Sequence, residues 1–204
     1  MLVRASHTDV FRNHQLNIVT IGDEKYLVDV GFGSGCPVEP IPLQDGAEIT
    51  LVAPAKGKLE YRSLPVHSDP NQKVWVYSVQ VAPEAPWVEQ YCFVEIEFFP
   101  ADFEVMNIMT MTSPKSFFVQ NVLAVRIIVG GTDSEPEAES TLILFQDYIK
   151  RITGGKAETL EMLKTEDERI AALKKWFNIE IPPADRFAIM GLPTELKGYV
   201  LNYQ

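Results

Sequence analysis

Two short runs rich in Val and Ile, residues 15–21 and 25–30, are split by Gly22-Asp23-Glu24. Apolar runs of this length around a glycine-led break predict a β-hairpin. Residues 31–36 read as a glycine-rich loop closed by Pro37, Pro40 and Pro42. Residues 47–52 and 58–62 read as weaker strands, and residues 73–81 alternate most cleanly, as a half-buried strand does. After Pro83 and Pro86, residues 89–98 read as another strand and 100–111 as a short helix ended by Ser113-Pro114. Residues 119–129 read as a strand and 130–140 as an acidic loop with no element of its own. Residues 141–145, 148–152 and 157–163 read as a strand meander. A helix is predicted over 165–178. Thr165 and Glu168 have capping-box spacing, and Ile170, Leu173, Trp176 and Phe177 make one apolar stripe that reads as core. Pro182-Pro183 stops further helix. The pattern predicts an α+β, mainly β chain: a β-barrel or curled sheet, then a sheet with a C-terminal helix.

Composition narrows the class of function. The 204 residues are 46% hydrophobic and 23% charged, an ordinary globular balance with enough length for one domain or one and a half. A formal net charge of -10 gives no electrostatic footprint for nucleic acid or an anionic membrane. No apolar run reaches membrane-spanning length. His7, His14 and His67 lie too far apart for a zinc pattern, so no metal site is expected. The two cysteines, Cys36 and Cys92, make no CxxC pair and fit a reducing compartment.

Candidate chemistry begins with His14 and Asp29, which flank the predicted hairpin. If the turn has two residues, Ile21 faces Glu24 and Asp29 faces Leu16, one diagonal step from His14 on the same face. A turn of three residues separates them. An Asp inside Tyr26-Leu27-Val28-Asp29-Val30-Gly31-Phe32 needs a partner or donors to stay charged when buried. A His–Asp pair is the orienting half of a nucleophilic triad. Equally, Asp29 could accept backbone N–H groups of the glycine loop, with His14 at a strand edge. Gly31-Phe32-Gly33-Ser34-Gly35 is neither a Walker loop nor a dinucleotide fingerprint, because Cys36-Pro37 follows. It is a tight turn, or backbone able to approach a ligand closely. Cys92, in Tyr91-Cys92-Phe93-Val94, reads as a buried filler. Cys36 reads as a pocket-lining thiol without an activated environment.

Several motifs together resemble the arylamine N-acetyltransferase family. His14-Gln15-Leu16-Asn17-Ile18-Val19 and Tyr26-Leu27-Val28-Asp29-Val30-Gly31-Phe32-Gly33 are similar to its His and Asp segments, with a matching spacing of 15 residues. Asp102-Phe103-Glu104-Val105-Met106-Asn107, Thr112-Ser113-Pro114-Lys115-Ser116-Phe117-Phe118, Trp176-Phe177-Asn178-Ile179 and Asp185-Arg186-Phe187 are similar to its later stretches. The likeness spans nearly the whole chain.

The resemblance implies an antiparallel β-barrel over residues 1–99 and an α/β lid with a C-terminal helix over 100–204. It implies a cysteine-proteinase-like triad, with His14 as base and Asp29 as its orienter. Asn13, Phe32 and Cys36 would line the substrate pocket. Gly33, Thr112, Ser113, Lys115 and Phe187 would lie along the acyl-CoA cleft. The implied co-substrate is acetyl-CoA or another short acyl-CoA, with malonyl open, and the implied acceptor is an arylamine or arylhydrazine. No bound cofactor or metal, no membrane and a cytoplasmic location are expected.

The family's nucleophile sits about forty residues before its His, in an Arg-Gly-Gly-x-Cys segment within an N-terminal helical bundle. Thirteen residues precede His14, none of them Cys. Arg4-Ala5-Ser6-His7 reads as a remnant of the linking strand or as sequence from a mis-assigned start. The expectation is therefore a fragment, a truncated gene model or a degenerate paralogue that forms no thioester by itself and leaves barrel surface bare. The competing readings are a non-catalytic module for CoA or aromatic ligands, and a structural partner of a bundle on another chain.

Overall fold

The structure, a computed structural model, describes residues 2–3 and 12–196, with side chains from His14 onward. Two units divide the chain, Met1–Asn107 and Ile108–Gln204. In the first, β1 (Leu2–Val3) pairs with β2 (Arg12–His14), Leu2 opposite His14. β3 (Asn17–Ile21) and β4 (Glu24–Val28) form the expected hairpin. Gly22 takes a φ of 61°, which glycine adopts without strain. The chain thus reverses in two residues, with Ile21 opposite Glu24 and Asn17 opposite Val28. Strand pairing stops at Val28 rather than at Val30.

β5 (Ile41–Pro42), a short strand that periodicity did not mark, adds to β4 and makes a three-stranded sheet. β6 (Glu48–Thr50), β7 (Lys56–Arg62), β8 (Val74–Gln80) and β9 (Val88–Phe93) join β1 and β2 in a six-stranded sheet of order β2-β1-β9-β8-β7-β6. β9 ends at Phe93, five residues short of the expected strand. The expected barrel takes the form of two antiparallel sheets sharing one core. Leu27 and Ile41 come from the smaller sheet, and Leu59, Trp75, Tyr77, Tyr91 and Phe93 from the larger. Cys92 lies on the other side of the larger sheet with Leu64, Val74 and Val76, as a buried filler.

α1 (Pro100–Thr112) carries the chain across the unit boundary and buries none of its residues. The second unit continues with α2 (Phe117–Gln120), which takes the start of the expected 119–129 strand. β10 (Leu123–Gly131) and β11 (Pro136–Phe145) form a hairpin across the segment expected as a loop. Of the acidic and Pro signals of that segment only Asp133 and Glu135 fall in the turn; Pro136, Glu137 and Glu139 belong to β11, where strand pairing overrides weak local preference. β12 (Tyr148–Thr153) and β13 (Lys156–Met162) complete a four-stranded antiparallel sheet.

Thr165 caps α3 (Glu166–Ala172) through Oγ1, which accepts from the Glu168 N–H at 3.2 Å. The returning Glu168 carboxylate takes the N–H of Lys164, one residue earlier than a capping box requires. The expected single helix loosens to a π turn over Leu173–Phe177, and Asn178 ends it in the left-handed conformation. Leu173, Trp176 and Phe177 pack against Leu142, Leu144 and Ile149 of the sheet, so most of the apolar stripe is core.

One feature of α3 left no apolar signature. Glu166 and Arg169 are both buried and bonded to each other, with Arg169 Nε donating to Glu166 Oε2 at 3.0 Å. Arg169 also donates to the carbonyls of Gln146 and Thr194, while the Leu196 N–H donates to Glu166. The pair thus ties the C-terminal segment to the helix and the β11–β12 turn. Removing the guanidinium strands a buried carboxylate. Arg169→Ala is expected to lower stability by about 3–5 kcal/mol, read as a shift in the urea midpoint of the second unit's transition. A loss under about 1 kcal/mol contradicts a buried charged pair and fits an exposed one.

Candidate active site

The two-residue turn decides the geometry of the site. With Asn17 opposite Val28, Asp29 stands just beyond β4 and His14 just before β3. Their side chains meet, His14 Nε2 lying 2.9 Å from both Asp29 Oδ1 and Oδ2. The Gly31 N–H also donates to Asp29 Oδ1 at 3.0 Å. The two readings that the sequence left open therefore coexist, since Asp29 serves both the imidazole and the glycine loop. Asp29 is buried, at 4% exposure, and the His14 side chain keeps 17% of its surface. A polar pair with one fully enclosed end and one reachable end suits an orienter and a base.

Burial by itself pushes the Asp29 carboxyl up. The hydrogen bonds from His14 and the Gly31 N–H, the charge of His14 and the nearby Tyr91 hydroxyl outweigh it, and the carboxyl ends below its usual value of 3.8. An ionised carboxylate only accepts, so His14 Nε2 is the donor of this contact. Among the described residues His14 Nδ1 makes no hydrogen bond.

The glycine loop is fixed from below. Tyr77 on β8 donates its hydroxyl to the Gly35 carbonyl at 2.9 Å. Its ring lies so close over Gly57 on β7 that a Cβ there would come within 2.6 Å of the Tyr77 oxygen. Phe32 stands edge-on to Tyr91 at 4.9 Å and to His14 at 5.4 Å between ring centres. Cys36 is half-buried and its Sγ donates to the Asp29 carbonyl at 3.1 Å. Burial first, then the negative charge of Asp29, push this thiol up to about 11. It is a protonated donor rather than a nucleophile.

The first unit thus gathers His14, Asp29, Phe32, Gly33 and Cys36. Asn13 belongs to β2, and its side chain lies outside the described residues, as does the Arg4–His7 stretch. A cavity of about 360 Å³ in the same unit is lined by Gln15, Asn17, Lys25, Glu95 and Phe98 among others, but by neither His14 nor Asp29. In the second unit Thr112, Ser113 and Lys115 stand in one turn. Thr112 Oγ1 donates to the Ile108 carbonyl, and Ser113 Oγ accepts from the Lys115 N–H. Phe187 stands apart from them under the Arg186 guanidinium. Tyr77, Tyr91 and Gly57 escaped the sequence reading. The alternation of 73–81 puts Tyr77 on a face, but only cross-strand pairing shows what it touches.

Similarity to known proteins runs along most of the chain. A family model described as N-acetyltransferase matches residues 3–186. N-malonyltransferase FDB2 of Fusarium pseudograminearum is 37% identical over 191 residues, covering 90% of this chain and 54% of its own. Its namesake in Gibberella moniliformis is 36% identical over 185 residues, covering 85% of this chain and 52% of its own. The chain spans about half the length of these curated relatives. Among solved structures, the Mycobacterium abscessus arylamine N-acetyltransferase matches with a TM-score of 0.72 at 24% identity, over 90% of this chain and 60% of that one. The Mycobacterium marinum enzyme, solved in complex with CoA, matches at 0.67 and 20% identity, over 88% and 62%.

Three outcomes are expected at the site. Because Asp29 titrates lower when folded than unfolded, its contribution is complete above about pH 4 and fades as pH falls through the folded value. The stability gap between the wild type and Asp29→Asn, from urea titrations, should therefore be widest near neutrality and close in acid. A gap that widens in acid contradicts the pairing. Cys36 should react with iodoacetamide roughly a hundredfold more slowly than an exposed cysteine, the ratio that two units of thiol shift imply. Gly57→Ala should displace Tyr77, cost about 1–3 kcal/mol and speed that alkylation by freeing the loop. An unchanged alkylation rate in Gly57→Ala breaks the link from Gly57 through Tyr77 to the loop.

Proposed function

Because this chain belongs to the arylamine N-acetyltransferase family, we propose that it carries the base and orienter of a thiol-dependent acyl transfer from an acyl-CoA to an arylamine or arylhydrazine. The observation that supports this most is the contact of His14 Nε2 with both oxygens of the buried, ionised Asp29. In this reading Asp29 fixes the tautomer, and His14 Nδ1 takes the proton of a cysteine thiol as its sulfur attacks the acyl-CoA carbonyl. The C–S bond to CoA breaks and CoA leaves as its thiol. His14 gives its proton to the departing CoA thiolate; the amine then attacks the acyl-cysteine, the acyl–sulfur bond breaks, and the amine's proton passes through His14 to the cysteine sulfur. The attacking thiol belongs to the family's Arg-Gly-Gly-x-Cys segment, which these 204 residues do not contain, and the raised Cys36 thiol is no substitute for it.

Phe32, Asn13 and Cys36 line the acceptor side in this reading. In the same reading Gly33 in the first unit, and Thr112, Ser113, Lys115 and Phe187 in the second, would contact CoA, with the barrel over residues 1–99 and the lid over 100–204. Acetyl is the family's default donor group. The name N-malonyltransferase borne by relatives 36–37% identical to this chain favours malonyl as the alternative.

Acetyl-CoA and malonyl-CoA, each with an arylamine, should release CoA when this segment is joined to the cysteine-bearing segment in one polypeptide. The 204 residues alone should release none. His14→Ala should cut transfer by about 10³-fold or more, and Asp29→Asn by a comparable factor. Transfer that survives His14→Ala removes the triad reading. The ratio of the two donors decides the acyl group.

A further inference from the structure

The cavity of about 360 Å³ in the first unit opens beside β3, and neither His14 nor Asp29 lines it. Its size lies at the lower end of the roughly 300–1,000 Å³ range of small-molecule pockets. Leu16, Ile18, Phe98 and Phe103 give it apolar and aromatic surface, with the two Phe ring centres 6.3 Å apart.

The polar groups of the lining are unevenly used. Lys25 Nζ donates to Glu95 Oε2 at 2.6 Å, and Trp75 Nε1 donates to Glu95 Oε1 at 3.0 Å. The cationic side chain of the cavity is thus already matched by a carboxylate that β8 also holds in place. Glu97, Gln15 and Asn17 line the same cavity, and among the described residues their side chains make no hydrogen bond or ion pair. β3 lies at the edge of its sheet. Its two-residue turn makes Ile21–Glu24, Val19–Tyr26 and Asn17–Val28 the hydrogen-bonded pairs. Ile18 falls between two of them, so its carbonyl faces the free edge.

Acceptors therefore prevail: a spare carboxylate, an edge carbonyl and two amide oxygens, beside ring faces that attract cations. An anion would meet the Glu97 carboxylate and a lysine already neutralised, in a chain of net charge -10. We propose that this cavity binds a small organic ammonium ion with an apolar body, its charge on Glu97 and its body against Phe98 and Phe103. Such a ligand differs from the acceptor proposed above, because an arylamine is a weak base and uncharged at neutral pH. Binding here needs no acyl transfer, so failure of either reading leaves the other standing.

The experiment titrates the full 204-residue chain with 2-phenylethylammonium, 2-phenylethanol and phenylacetate, and follows the side-chain amide signals of Gln15 and Asn17 by ¹H–¹⁵N NMR. The ammonium should move both signals saturably, the alcohol should bind at least about tenfold more weakly, and phenylacetate should move neither. Glu97→Gln should weaken ammonium binding about tenfold. Lys25→Met should tighten it, because the competing cation is gone while Trp75 still holds Glu95. No shift with the ammonium, equal binding of the alcohol, a preference for phenylacetate or an unaffected Glu97→Gln overturns the proposal. If Glu97→Gln does not fold, Lys25→Met decides, and an ammonium affinity unchanged or lowered in that variant overturns it.

Discussion

A carboxylate taken out of water has to be met by donors, and the first unit is arranged around meeting that demand at Asp29. The His14 imidazole and the Gly31 N–H do so directly. The Gly31 contact requires the loop to fold back over the end of β4. The loop in turn is held by the Tyr77 hydroxyl, and the Tyr77 ring lies where it does because Gly57 has no side chain. A local electrostatic need is thus carried outward through three strands as a set of steric conditions. Burial first, and then the same charge, push the neighbouring Cys36 thiol up and keep it protonated.

The second unit repeats this logic with a different outcome. Glu166 is buried as deeply as Asp29, but a guanidinium supplies its donors and its geometry serves cohesion. Arg169 spreads its N–H groups over Glu166 and two carbonyls distant in sequence, an arrangement that locks segments together. Among the described residues His14 hydrogen-bonds only to Asp29, and its side chain is partly exposed. The two pairs thus differ in remaining hydrogen-bond capacity rather than in the burial of their carboxylates.

Likeness in sequence and likeness in fold carry different weight here. The family match covers almost all of this segment, while solved structures at 20–24% identity speak for the fold alone. The curated relatives extend to about twice the matched length. The antiparallel sheets, the hairpin and the His–Asp contact are therefore properties of this segment. Turnover in the proposed scheme depends on a thiol from elsewhere in the family's architecture.

Periodicity and turn chemistry by themselves determined the mainly β class, the hairpin over residues 15–30, the short helix after Pro100 and the capped helix after Thr165. These are local preferences, written in alternation, glycine and cap residues. The motifs around His14 and Asp29 also marked the pair as a candidate, but its existence hung on whether the turn held two residues or three. Only the fold decided that, because register is a property of two strands together. The β10–β11 hairpin shows the same limit from the other side. Its acidic segment looks like a loop in one dimension and is strand because a partner strand supplies its hydrogen bonds. Phe32 against Tyr91, Tyr77 over Gly57 and Arg169 against Thr194 were likewise invisible. Contacts across tens of residues leave no trace in local pattern, and only tertiary packing brings the groups to bonding distance.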